Sequence, residues 1–214
     1  MALTSTKFNN IIFDLGGVIL NIDYNATVKA FEPLGIGHFE NLFSQASQTS
    51  LFDKYEKGLI SSEEFRAQLR PYLKEDTDDA MIDKAWNAIL LDLPEQRIKI
   101  LKKLREKYRT FLLSNTNDIH IRTINKYLEK EFGMKDLSSL FEKVYFSYEI
   151  GKRKPDAEIF QHVVDENNIS IHDTLFIDDS KQHIATAQAM GFQAYLLDPS
   201  REDITELFAP VLVS

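Results

Sequence analysis

No cysteine occurs in the chain. Its absence excludes disulfides, thiolate catalysis and cysteine-ligated zinc or iron–sulfur sites. Cations are in deficit: 25 Lys and Arg stand against 33 Asp and Glu, for a net charge of −8. A general nucleic-acid binder needs clustered Lys and Arg, so nucleic acid is not an expected partner. No apolar run approaches the length of a transmembrane helix, so no membrane partner is expected. The first apolar run is broken by Asp14 and no small-residue cleavage site follows. No signal peptide is therefore expected, and a cytoplasmic location is. There are no repeats and no low-complexity segments, and nothing marks a protein partner or an oligomeric state.

What is present is an ordinary globular composition, 43% hydrophobic and 27% charged over 214 residues. That length suits one large domain or a domain with an insert. The chain is organised around NNIIFDLGGVIL, Asn9 to Leu20. Ile11, Ile12, Phe13 and Leu15 surround a single carboxylate, Asp14, and Gly16 and Gly17 follow. A short apolar run bounded by turn residues reads as a buried parallel strand. An aspartate at its end lies where α/β proteins bind ligands, beyond the carboxyl ends of the strands.

From about residue 21 to 93 no good strand appears. Val28, Phe31 and Leu34 have helical spacing until Gly35 and Gly37 interrupt it. Phe39, Leu42, Phe43 and Ala46 form a second helical face. Ser61 and Glu64 make a capping box before Phe65, Leu69 and Tyr72. Met81, Ile82, Ala85, Trp86 and Ile89 form another face. Asp76, Asp78 and Asp79 invite comparison with a calcium loop. However, Met81 and Asn87 occupy the positions where an EF-hand needs Gly and Glu, so the acids fit a helix N-terminus better. This segment is a helical module of four or five short helices.

From Pro94 the pattern alternates. A helix runs to about Tyr108, then a strand from Thr110 to Leu113 ends at Ser114. A helix from Asn117 to Phe132 precedes a strand from Lys143 to Phe146. A basic turn leads to Pro155, which starts a helix reaching about Glu166. Thr174 to Ile177 is a strand ending in Asp178 and Asp179. A last helix, to Met190, precedes a strand from Gln193 to Leu197. This alternation predicts an α/β fold, a doubly wound parallel (Rossmann-like) sheet. The expected division is a core of residues 1–20 and 94–214, with residues 21–93 as an inserted helical cap over the strand ends.

Four strand ends then bring polar groups to one edge: Asp14; Ser114 and Asn115; Lys154; Asp178 and Asp179. Each could simply cap or solvate its own helix. Their coincidence at four successive strand ends argues for a site. Their types fit one reaction. A carboxylate can attack phosphorus and form an aspartyl-phosphate. Two like charges 4 Å apart repel by about 4 kcal/mol at an effective dielectric near 20. A phosphate dianion beside three aspartates therefore needs Mg²⁺ and a lysine to neutralise it.

FDLGGVIL, LLSNTN, KRKPDAEIF and FIDDS together resemble the four motifs of the haloacid dehalogenase-like (HAD) hydrolase superfamily, over essentially the whole chain. The likeness is strongest to its α-glucose-1-phosphate phosphatase type and more distant to the N-terminal phosphatase domain of soluble epoxide hydrolases. It implies a C1-type cap and a Mg²⁺-dependent phosphatase acting on a small phosphorylated metabolite, a sugar phosphate above all. It also implies roles: Asp14 as nucleophile and metal ligand, and Ser114 with Asn115 as phosphate binders. Lys154 would hold nucleophile and phosphate in register. Asp179 would ligate the metal, with Asp178 acting behind it or through water.

Two positions depart from the superfamily pattern. Most of its phosphatases carry a second aspartate where this chain has Gly16, whose backbone carbonyl can ligate Mg²⁺ but cannot shuttle a proton. Asp23 is a candidate replacement acid; it also fits as the cap of its own helix. His183 stands where Asp or Asn is usual and is either a surface histidine or a partner of the metal-ligand shell. Phe43, Phe52, Tyr55 and Trp86 are candidates for the cap side of the cavity mouth, and each also suits the cap's own core. The rival readings are a domain that binds Mg²⁺ and phosphate ligands without turnover, and a metal-independent hydrolytic dehalogenase. The acidic pair Asp178–Asp179 argues against the second, because it would repel a carboxylate substrate.

Overall fold

The computed structural model describes residues 7–36 and 51–209. Five strands form one sheet: β1 Asn10–Phe13, β2 Arg109–Ser114, β3 Lys143–Phe146, β4 Thr174–Asp178 and β5 Gln193–Leu196. Their order is β3-β2-β1-β4-β5, and every pairing is parallel. β1 is central, with Phe13 level with Leu112 on one side and Ile177 on the other. The chain moves outward from β1 through β2 to β3, then returns to build β4 and β5 on the opposite side. Such a reversal opens a crevice at the carboxyl ends of the central strands.

The apolar runs seen in the sequence are buried on both faces because side chains alternate along a strand. Ile11 and Phe13 join Leu112, Leu175 and Ile177 under the helices Glu95–Lys107 and Asp118–Phe132. Ile12, Phe111, Leu113 and Phe176 point the other way, onto the helices Ala157–Asn167 and Lys181–Met190. Pro155 does not open its helix as expected. The helix starts at Ala157 with Asp156 in the cap position, because the backbone at Lys154, just before the proline, is clamped to Asn115. No helix among the described residues is long and apolar enough to cross a membrane.

Between β1 and β2 lies the helical insert. Its described helices are Tyr24–Phe31, Leu51–Glu56, Ser62–Leu69 and Asp79–Trp86. Gly37 and the expected face of Phe39, Leu42, Phe43 and Ala46 lie outside the described residues. The Ser61–Glu64 capping box is formed in both directions. Asp78 accepts from the Met81 N–H and so caps its helix. Phe31, Phe65, Leu69, Ile82 and Trp86 form a separate core, while Tyr72 and Met81 face solvent. Tyr72 leaves the apolar face because the helix gives way at Arg70 to a tighter turn through Pro71.

The two connections to the insert pair with each other. Asn21 N donates to Asp92 O, and Leu91 N to Asn21 O. Buried Arg97 donates to Ile19 O, Asn21 Oδ1 and Asp203 Oδ2, which pins this hinge to the core.

The insert also docks on the core away from the hinge. Trp86 Nε1 donates to Asn117 Oδ1, as does His120 N. That fixes the amide orientation, so Asn117 Nδ2 donates to His120 Nδ1. The proton of the neutral ring is therefore on Nε2, which donates to Trp86 O at 3.2 Å. Burial pushes the His120 pKa down to about 4. Gly58, with φ +64°, lies so close to the core that a Cβ there would sit 2.0 Å from Tyr148 O.

Gly58→Ala is expected to cost about 2 kcal/mol or more, through left-handed strain plus a backbone clash. Gly133→Ala, at φ +63° with open space around it, is expected to cost only the strain, about 1 kcal/mol. Urea unfolding of both variants measures the difference. Neutral buried His120 stabilises the fold fully above its unfolded pKa of about 6.5, and this contribution falls as pH drops towards about 4. Between pH 7.5 and 4.5 the wild type is expected to lose about 2 kcal/mol more than His120→Gln, by the same unfolding assay.

Candidate active site

Asp14 follows β1 directly, and its N–H donates to Ile177 O, so the backbone is still held in the sheet. The chain then turns back on itself: Gly17 N donates to Leu20 O, and Leu20 N to Leu15 O. Gly17 has φ +73°, and a Cβ there would lie 2.2 Å from Asp179 Oδ2. Only glycine lets the loop after β1 and the loop after β4 approach this closely.

At the centre is Lys154, fully buried. Its Nζ lies 2.7 Å from Asp14 Oδ1 and 2.7 Å from Asp178 Oδ2. Asn115 clamps the backbone of this lysine: Lys154 N donates to Asn115 Oδ1 at 2.9 Å, and Asn115 Nδ2 donates to Lys154 O at 2.8 Å. Asn115, expected to bind phosphate, lines the cavity and also positions the lysine. Ser114, at the end of β2, lines the cavity with Asp14 and Lys154.

Asp178 is buried with both oxygens engaged. Oδ1 accepts from Ser180 N and Oδ2 from Lys154, while His183 Nδ1 lies 2.9 and 3.0 Å from the two. His183 Nδ1 therefore carries the proton, and the histidine is a partner of the acid cluster rather than a surface residue. Asp14 and Asp179 line the cavity, and Asp178 stands behind them. Gly16 also lines it. Asp23 does not: its Oδ1 accepts from Asn25 N and caps the first insert helix.

One carboxylate oxygen from each of Asp14, Asp178 and Asp179 falls within 4.8 Å of the others. Hard oxygen donors in such a cluster fit a hard divalent cation. Desolvation, with the charges of Asp178 and Asp179, pushes the Asp14 pKa up to about 7 against the pull of Lys154. Burial and Asp178 also raise Asp179. Asp178 is displaced the other way, since Lys154 and His183 outweigh its burial. A cation between Asp14 and Asp179 favours the ionised form of both.

The cavity measures about 300 Å³. The insert contributes Tyr24, Glu56, Ile89 and Leu90 to it, and the core adds Thr116, His120 and Arg153. Glu56 and Arg153 carried no functional signal in the sequence beyond the place of Arg153 beside Lys154. Phe52, Tyr55 and Trp86 pack inside the insert core instead of lining the cavity. Phe52 stacks on Trp86 with ring centroids 5.3 Å apart. Phe43 lies outside the described residues.

Known proteins resemble this chain in sequence and fold. A curated D-ribitol-5-phosphate phosphatase from Bacteroides thetaiotaomicron is 31% identical over 87% of this chain and 90% of its own. A sesquiterpene phosphatase from Aspergillus oryzae is 24% identical over 94% and 96% of the two chains. Among solved structures, a HAD-family enzyme from Bacteroides thetaiotaomicron matches with a TM-score of 0.86 at 38% identity, covering 95% of this chain and 99% of that one. The wild-type form of that enzyme has also been solved in complex with magnesium and inorganic phosphate. The family model for haloacid dehalogenase-like hydrolases matches residues 8–191. With that match over most of its length, the chain belongs to the haloacid dehalogenase-like hydrolase family.

Proposed function

We propose that the protein is a Mg²⁺-dependent phosphatase of small phosphorylated metabolites, with sugar or polyol phosphates as its substrates. The observation that carries this reading is Lys154 Nζ, held at 2.7 Å from both Asp14 and Asp178 beside a three-carboxylate cluster. A phosphatase relative named for a polyol phosphate supports the substrate class. The insert acts as a cap that closes over the site and shields it from bulk solvent.

Asp14 is the nucleophile. Lys154 holds its Oδ1 and presents the other oxygen to phosphorus. As the new O–P bond forms, the ester bond breaks, and the leaving oxygen takes a proton from water in the cavity. Ser114 donates to a phosphoryl oxygen and Lys154 neutralises part of the developing charge. Water then attacks the aspartyl-phosphate, releasing inorganic phosphate and restoring the carboxylate. Asp14, Asp179 and the Gly16 carbonyl would hold Mg²⁺, with Asp178 behind them fixing Lys154 and itself held by His183. When bound, the ion supplies charge neutralisation for the phosphoryl group.

A second reading rests on Gly16. With no acid at that position, the domain could bind Mg²⁺ and phosphate esters without turning them over. Phosphate release from a panel of sugar and polyol phosphates separates the two. Release is expected with Mg²⁺, abolished by chelator, and lowered by about 10³-fold or more in Asp14→Asn. Mg²⁺ binding without release from any ester would establish the second reading. Lys154→Met is expected both to abolish release and to cost about 3 kcal/mol or more in stability, because it leaves Asp14 and Asp178 buried without a counter-charge. Calorimetric or urea unfolding measures that loss.

A further inference from the structure

The seam between insert and core carries a pair of residues that the catalytic scheme does not use. Glu56, at the end of helix Leu51–Glu56, faces Arg153, the residue before Lys154, and both line the cavity. Glu56 Oε2 lies 2.8 Å from Arg153 Nη2. The approach is an ion pair without hydrogen-bond alignment, because Glu56 Oε2 is shut off from solvent with no hydrogen-bond partner. Arg153 Nε is in the same condition. Glu56 Oε2 therefore stays behind the cavity wall against Arg153, while the Glu56 side chain, 24% exposed, leaves its other carboxylate oxygen to the cavity. A hydroxyl is the small neutral group that donates to such an oxygen.

The charge pattern points the same way. Among the described residues, the cavity is lined by two side chains of the Lys/Arg type, and each already faces two carboxylates. Lys154 lies between Asp14 and Asp178. Arg153 lies between Glu56 and Asp53, whose Oδ1 is 3.0 Å from its Nη1. Neither cation has charge to spare for a second anionic group. A leaving group carrying a carboxylate or another phosphate would meet the Glu56 carboxylate with nothing to offset it.

We propose that Glu56, backed by Arg153, is a specificity residue that selects a neutral, hydroxyl-bearing leaving group and rejects an anionic one. This rests on the phosphatase reading and goes on to name the residue that sets the substrate class. Glu56 accepts a hydrogen bond from a substrate hydroxyl, and that bond also ties the insert to the core across the bound ester. With both lining cations already engaged by carboxylates, the like charge of an anionic leaving group beside Glu56 makes such a contact discriminating.

The test compares wild type with Glu56→Gln on three esters in Mg²⁺. These are a pentitol 5-phosphate, the aldonic acid 5-phosphate of the same length, and p-nitrophenyl phosphate, which lacks aliphatic hydroxyls. Wild type is expected to favour the pentitol ester over the aldonate by about 30-fold or more in kcat/KM. In Glu56→Gln, KM for the pentitol ester rises about tenfold and the preference narrows to about threefold, while p-nitrophenyl phosphate loses far less than the pentitol ester. The same two phosphorylated ligands titrated calorimetrically into Asp14→Asn, with and without Glu56→Gln, give the preference without turnover.

An undiminished preference in Glu56→Gln overturns the proposal. So does an equal loss on all three esters, which would make Glu56 a structural partner of Arg153 alone. A wild type that favours the aldonate overturns it as well. No release from any ester, including p-nitrophenyl phosphate, would sink the phosphatase reading instead. The titrations would then still decide the role of Glu56, since equal binding of both ligands refutes it.

Discussion

The ammonium of Lys154, shut away from water between Asp14 and Asp178, is the contact on which the rest of the site depends. Burying three charges is expensive, and such a group is tolerated only where the geometry is good and the remaining hydrogen bonds are made. Here they are made. Asp178 takes further hydrogen bonds from Ser180 N and His183, and the lysine backbone is gripped at both ends by Asn115. The lysine thereby joins three strand ends: β1 through Asp14, β2 through Asn115 and β4 through Asp178. Removing either carboxylate leaves the buried charges unbalanced, so the site's geometry and the local stability of these strand ends depend on the same contacts.

The hydrolytic apparatus was largely legible in the sequence because its signals are local. Apolar runs ending in Asp14, Ser114 and Asp178 identify strands and their polar tips without any knowledge of tertiary contact. Gly17 could be read as a turn residue, but its second duty, clearing space for the Asp179 carboxylate, appears only once β1 and β4 lie side by side. Asn115 has a second duty of the same kind: its grip on a backbone 39 residues away comes into view only with the fold. Asp23 went the opposite way, since the local capping explanation held.

The insert was less legible. Its helices follow from spacing and capping, yet the faces they turn towards the cavity do not. Two of the aromatic residues proposed for the cavity mouth, Tyr55 and Trp86, are buried in the insert's own core. Glu56, which does line the cavity, sits in an unremarkable run of charged residues. Docking decides which of these charges matters, and docking is set by non-local features: the Trp86–Asn117–His120 cluster, the closeness of Gly58 to Tyr148, and the hinge pinned by Arg97.

The strand order has a consequence for how the chain comes to exist. β1 occupies the middle of the sheet, and Asn10 pairs with Arg109 on one edge and with Thr174 on the other. The strand bearing Asp14 is thus synthesised before both of its neighbours and among the last to be completed. During translation its apolar residues wait through the whole insert for β2, and longer still for β4, whose Asp178 fixes the buried lysine. Pairings so distant along the chain are slow to form. The described helices of the insert, whose Phe31, Phe65 and Trp86 share one apolar cluster, are all synthesised before either neighbour of β1.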